Sequence, residues 1–124
     1  MAKSFGIKIE GIPQAKTFVN KKLALAINKA DAGVQEAGFF ILGEVVQSIS
    51  GHRAEPTSVD TGRFKGSVHA EHKKLQSIIK PNVSYADVLE FGGKGRQPRH
   101  HFRNTKQRNE SKVIDFVKKA VNAW

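Results

Sequence analysis

From Ala15 to Ile49 apolar residues recur every three or four positions: Ala15, Val19, Leu23, Ala26, Ile27, Ala30, Val34, Ala37, Ile41, Val45 and Ile49. This is helical periodicity. A helix that starts at Pro13, a residue suited to a first turn, and ends at Ile49 would be roughly 55 Å long. A single domain of this chain length is only about 35 Å across. Such a helix must break, bend or project. Gly33, Gly38 and Gly43 each weaken it by roughly 1 kcal/mol relative to alanine. A kink or interruption is therefore expected between Ala30 and Gly38. Phe39, Phe40, Leu42 and Val46 lie off the main stripe. They suit either a core helix held between a sheet and a second helix, or a helix with one face against a neighbouring subunit.

Shorter elements surround this helix. "FGIKIEG" alternates apolar and polar residues at Phe5, Ile7 and Ile9, the period of a half-buried strand. Residues 50–62 read as loop, punctuated by Gly51, Pro56 and Gly62. "SVHAEHKK" and "QSIIKPNV" read as two strands of a hairpin, with Val68, Ala70 and His72 alternating and Ile78 and Ile79 supplying apolar bulk. "SYADVLEF" predicts a two-turn helix with Ser84 as its N-cap. A glycine- and arginine-rich stretch then runs to about Asn104. Val113, Phe116, Val117, Ala120, Val121 and Trp124 form a second helical stripe.

At 124 residues the chain is expected to form one domain over 1–124. With no cysteine it has neither a disulfide framework nor a thiolate metal site, which fits synthesis in a reducing cytoplasm. No apolar run approaches the ~20 residues that span a bilayer, and the N-terminus lacks a signal peptide's apolar stretch, so no membrane association is expected. The formal net charge of +10 predicts attraction to polyanions without saying which.

Catalytic and cofactor chemistry find little support. Gly92, Gly93 and Gly95 lack the spacing of a phosphate loop, and no Ser or Thr follows Lys94, so they read as a flexible connection. His100 and His101 are adjacent and point different ways in regular structure. His52, His69 and His72 have no helical partner, and nothing in the spacing favours a metal site built from His52, Asp60 and His101. Asp60, ahead of "TGR", suits a turn cap, and Glu90 suits an ion pair with Arg63. No cofactor and no metal are expected, and the chain is not expected to be an enzyme. The basic residues Lys94, Arg96, Arg99, Arg103, Lys106 and Arg108 follow one another without an intervening acid. Their natural partners are phosphates or a carboxylate-rich surface. Combined with the glycines, they predict a loop from Gly92 to Asn104 that is mobile alone and ordered against a partner.

Three segments in order carry a resemblance. "VDTGRFKGSV" at 59–68 resembles a T-G-R-[LF]-x-x-S-[IV] motif, "VSYADVLEFGG" at 83–93 a Y-A-x-x-[VL]-E-F-G motif, and "QPRHHFRNT" at 97–105 a proline–Phe segment leading into a C-terminal helix. All three are similar to motifs of the tail-completion, or head–tail joining, proteins of long-tailed double-stranded DNA bacteriophages. The chain departs from them in one place, with His100 to Thr105 standing where members commonly read proline–Phe–leucine–arginine–proline–alanine.

The resemblance implies an α+β fold, with a long helix and a C-terminal helix packed on a small antiparallel sheet, and this agrees with the element order above. It implies a structural role without catalytic residues. Copies would form a ring, typically a hexamer, at the head-proximal end of the tail, joining the tail-tube protein to a head connector or head-closure protein. The protein would be made in the host cytoplasm and reside in the virion neck. Thr61 and Gly62 would turn the chain into the sheet, with Arg63 as a charged anchor. Tyr85 and Phe91 would pack the short helix, Glu90 would meet an arginine of its own or an adjacent subunit, and Phe102 would be a buried anchor. A basic lumen would lie beside passing DNA without reading its sequence. The charge alone supports a different reading, a sequence-nonspecific DNA-binding protein. A nuclease or toxin would require metal-dependent cleavage.

Overall fold

The computed structural model describes residues 5–10, 21–58, 62–93 and 95–122, with the side chains of 10 and 21–23 left out. The expected helix start at Pro13, the stripe positions Ala15, Val19 and Trp124, the side chain of Leu23, and the roles of Asp60, Thr61 and Lys94 lie outside these residues. The described chain is α+β. Strand β1 (Ile7–Glu10) precedes the long helix α1 (Lys21–Ile49) and the one-turn helix α2 (Arg63–Ser67). The hairpin β2 (His69–Lys73) and β3 (Gln76–Lys80) follows, then the short helix α3 (Ala86–Phe91) and the C-terminal helix α4 (His101–Asn122).

The three strands form an antiparallel sheet in the order β1-β3-β2, with Ile7 opposite Ile79 and Ala70 opposite Ile79 on its other side. Alternation sends Ser77 and Ile79 of β3 inward, whereas Ile78 is only half-buried. A two-residue turn, Lys74–Leu75, joins β2 to β3. Such turns need positive φ, and Leu75 adopts φ 60°. Asp31 of α1 holds it there by accepting the Leu75 amide at 2.7 Å and His72 Nε2 at 3.0 Å. Burial raises the Asp31 carboxyl, but the Leu75 amide and His72 outweigh it and keep the group below its ordinary value.

Helix α1 lies between the sheet and α4, as one of the two sequence readings required. Its stripe Val34, Ala37, Ile41, Val45 and Ile49 packs with Ile7, Ile9, Ile79, Phe64, Leu89 and Phe102 into one core. The interruption expected between Ala30 and Gly38 is not found, because α1 is continuous over 29 residues, about 43 Å. Its glycines serve contact instead. A Cβ on Gly33 would lie 2.8 Å from the Ala120 Cβ and 3.0 Å from the Val117 Cα, and one on Gly38 would lie 2.9 Å from Ser77. The weak helix propensity is thus offset by close approach of α4 on one side and β3 on the other. Gly43 is different, exposed and with nothing within 4 Å of its would-be Cβ. Gly43→Ala should therefore stabilise by about 0.5–1 kcal/mol, and Gly33→Ala should destabilise by about 1–3 kcal/mol despite the same gain in propensity. Parallel thermal unfolding of the two variants checks the opposite signs.

Two local expectations are corrected. Gly62, at φ 83°, begins the helix α2, so the chain enters the sheet through a helical turn and not directly. The N-cap of α3 is Tyr85, without a side-chain bond, in place of Ser84.

Candidate functional site

The residues singled out by sequence gather where α3 turns into α4. Gly92, at φ 81°, ends α3, and its would-be Cβ lies 3.0 Å from Arg96 O and from Pro98, a space only glycine fits. The chain reverses through a bridge between Gly93 and Arg96 and returns along α3. On that return the Arg99 amide donates to Leu89 O at 3.0 Å and the His100 amide to Glu90 O at 3.2 Å. Carbonyls at the end of α3, which lack partners in their own helix, are satisfied by this segment.

Glu90 then joins the two helices. Its side chain is 2% exposed, and its two oxygens accept the amides of Phe102 and Arg103, each at 2.9 Å. These amides belong to the first turn of α4, where four donors lack intrahelical partners and negative charge is favoured. The partner expected for Glu90 was Arg63, but both oxygens are instead occupied by a helix terminus. His100 Nδ1 stands 3.9 Å from Glu90 Oε2.

The aromatic residues of the three resembling segments converge beside this cap. Phe102 is 3% exposed, a buried anchor as expected. Its ring meets Phe5 edge-on at 5.3 Å and Phe64 at 6.5 Å. Phe5 also meets Phe91 edge-on at 5.2 Å, and Phe64 meets Tyr85 at 6.4 Å. Tyr85 and Phe91 remain 37% and 46% exposed. Arg63 is exposed beside Phe64.

A scan against protein-family models finds no match, and neither a search of curated proteins nor one of solved structures returns a similar chain. Among the described residues no helix is long and apolar enough to cross a membrane, and no group of three His, Cys, Asp or Glu side chains could hold a metal ion.

The basic residues are divided among different tasks. Helix α4 begins at His101, so the loop expected to reach Asn104 ends at His100, and Arg103, Lys106 and Arg108 are helical. Arg99 donates to the Thr57 carbonyl and, at 3.0 Å, to Ser58 Oγ. Arg108 grips Glu55 with two bonds of 3.0 and 3.1 Å. Arg96, Arg103 and Lys106 are exposed, and Arg103 Nε contacts Asn104 at 3.2 Å. The loop expected over Gly92 to Asn104 is thus shortened to end at His100, and Gly92, Arg99 and His100 bond through their amides to carbonyls of α3.

Behind this junction lies a polar network that the sequence reading missed. Ser48 Oγ donates to Glu55 Oε1 at 2.5 Å, so it must accept from His101 Nδ1 at 2.7 Å. That places the imidazole proton on Nδ1 and leaves Nε2 to accept from Ser58 Oγ at 2.6 Å. Donation runs in one direction, from Arg99 through Ser58, His101 and Ser48 to Glu55, and it requires a neutral histidine. His101 is fully buried, and burial pushes its pKa down to about 4, with Glu55 opposing and Arg99 reinforcing the shift. Burial raises the Glu55 carboxyl, but Arg108, Ser48 and Asn104 outweigh it and hold it at about 2. A serine against a neutral imidazole is the outline of a nucleophile and base. Here Arg99 also binds the serine and the imidazole is sealed from solvent, so the chain of bonds fastens residues 50–58 to α4. Both nitrogens of His101 are taken by serines, and His52 Nδ1 contacts Gln47 at 2.6 Å. The only sequence signal was Ser48, a polar residue within an otherwise apolar stripe.

Proposed function

We propose that this chain is a structural virion protein of the tail-completion, or head–tail joining, kind, without catalytic activity. Copies assemble as a ring, with six as the expected number, at the head-proximal end of a phage tail. The ring joins the tail-tube protein to the head connector, and the protein resides in the virion neck after synthesis in the host cytoplasm. The observation that carries this reading is the convergence of the three resembling segments. They contribute to three different helices, α2, α3 and α4, yet Phe64, Tyr85 and Phe102 meet in one cluster, Phe91 joins it through Phe5, and Glu90 bonds to the turn that bears Phe102. A shared structural unit, and not a set of isolated local matches, is what a family motif set encodes. Size-exclusion chromatography with light scattering, alone and with tail-tube protein, tests the reading. The expected result is a closed oligomer or a tail-tube complex, and a monomer under both conditions would count against it.

One observation favours a second reading, non-specific DNA binding. The carboxylates of Asp31, Glu44, Glu55, Glu71 and Glu90 are all engaged within the chain. The excess charge of +10 is therefore left largely to the surface. On that reading DNA affinity is high and falls steeply with salt for a monomer or dimer. On the ring reading it is weak at physiological salt.

A further inference from the structure

Among the described residues, two exposed apolar features lie on opposite sides of α1. The first is a ridge. Leu25, Ala32, Phe39 and Val46 recur every seventh residue and so share one face of the helix. Phe39 is 61% exposed, the most of the large apolar side chains described, and Leu25 is 53% exposed. The exposed Glu36 precedes Phe39 by one turn. The second feature is a groove of about 270 Å³ between β1 and α4, whose wall residues include Ile9, Ile41 and Ile114, with Lys8, Lys106 and Glu110 also lining it. Phe39 lies about 200° around the helix from Ile41, so ridge and groove face away from each other.

We infer that the groove receives the Phe39 ridge of a second copy of this chain, making a head-to-tail contact. The inference rests on the ring-assembly reading and names the surfaces it would use. Three observations fit this occupant. A benzene ring fits a cavity of about 150 Å³, so the groove has room for a phenylalanine ring and part of its backbone. The charges match, since Glu36 beside the ridge meets a groove that carries two lysines against one acid. Finally, a patch that binds a different patch on the opposite side propagates in one direction, and when the rotation closes it makes a ring. Pairing of the ridge with itself would stop at a dimer and leave the groove empty.

The chain contains no cysteine, so introduced thiols report without background. Gln35→Cys, exposed one turn before Phe39, and Gln107→Cys, exposed two turns before Ile114, flank the contact without removing it. They are combined in one chain and treated with a short bis-maleimide, and each single variant is treated alongside. The expected result is a ladder of covalent oligomers from the double variant and none from either single variant. Phe39→Lys supplies a second readout, with at least a tenfold weaker self-association expected by light scattering. Cross-linked dimers from Gln35→Cys alone would overturn the inference in favour of ridge-to-ridge pairing. Wild-type oligomers with no ladder, or oligomers unchanged by Phe39→Lys, would overturn it while leaving the ring reading in place. A wild-type monomer at all concentrations, with no ladder, would overturn the inference, and a monomer that persists with tail-tube protein would overturn the ring reading as well.

Discussion

Glu90→Ala should lower unfolding stability by about 3–5 kcal/mol, since a hydrogen bond to a charged group contributes about 1.5–3 kcal/mol and two are lost. For a domain of this size that corresponds to a fall in melting temperature of about 10–20 °C. The substitution leaves two first-turn amides of α4 without an acceptor in a buried position, because Glu90 is 2% exposed. It also removes negative charge from a helix N-terminus. Glu90→Gln separates these contributions. Its carbonyl oxygen can accept one amide, but its NH₂ faces the other donor, so about half the loss should remain. Calorimetry of the two variants and the wild type checks the order. Equal stability of Glu90→Ala and wild type would show that α4 begins without this cap. If Glu90→Ala is destabilised as expected, any loss of its self-association follows from a displaced α4, not from a broken contact between subunits.

Acid should unfold the protein in two stages that follow from the Glu55–Ser48–His101–Ser58 chain. In the unfolded state His101 titrates near 6.5, whereas in the fold it is held at about 4. Between these values the unfolded chain binds more protons, so stability falls as pH drops through that window. The gap of about 2.5 units corresponds to a loss of about 3 kcal/mol. Structurally, a proton on Nε2 would turn an acceptor into a donor facing Ser58, whose hydroxyl already receives Arg99. Glu55 acts at lower pH. Its carboxyl is held at about 2 in the fold against an ordinary 4.5, so its contribution is complete above 4.5 and is lost as pH falls towards 2. Urea unfolding at pH 7, 5.5 and 4.5 should give a steady decline for the wild type. His101→Gln should be less stable at pH 7 and nearly flat between pH 6.5 and 4.5.

The elements that sequence alone located are those with strong periodicity. The 3–4 spacing from Ala26 to Ile49 and the alternation around Ile7, Ile9, Val68 and Ala70 each predict burial on one face. Ile7, Ile9, Val68 and the stripe from Ala30 to Ile49 are buried, and Ala26, Ile27 and Ala70 are half-buried. The readings that failed treated local preference as decisive. Gly33 and Gly38 lower helix propensity wherever they stand, but their compensation comes from Ala120 and Ser77, which local sequence does not contain. Ser84 is a good capping residue in a segment whose helix starts later. The partners of Glu90 were hidden for another reason, since they are main-chain amides and carry no residue signature. Distance in sequence hid the His101 network, whose serines lie 53 and 43 positions away. Phe102 was legible as an anchor only through the resemblance of its segment to a proline–Phe motif, since composition alone does not separate it from the exposed Phe39 and Phe91.

The two glycine contacts of α1 also bear on how such a chain can change length. Gly33 and Gly38 lie about 140° apart around the helix, one fitted to α4 and the other to β3. One inserted residue between them would turn all that follows by about 100°, so that both contacts could not be met together. Insertions or deletions between these two positions are therefore barred, whereas the exposed residues 95–98 lie outside the helices and the sheet and can accept added length. The middle of α1 acts as a gauge that sets the angular registration of the whole molecule.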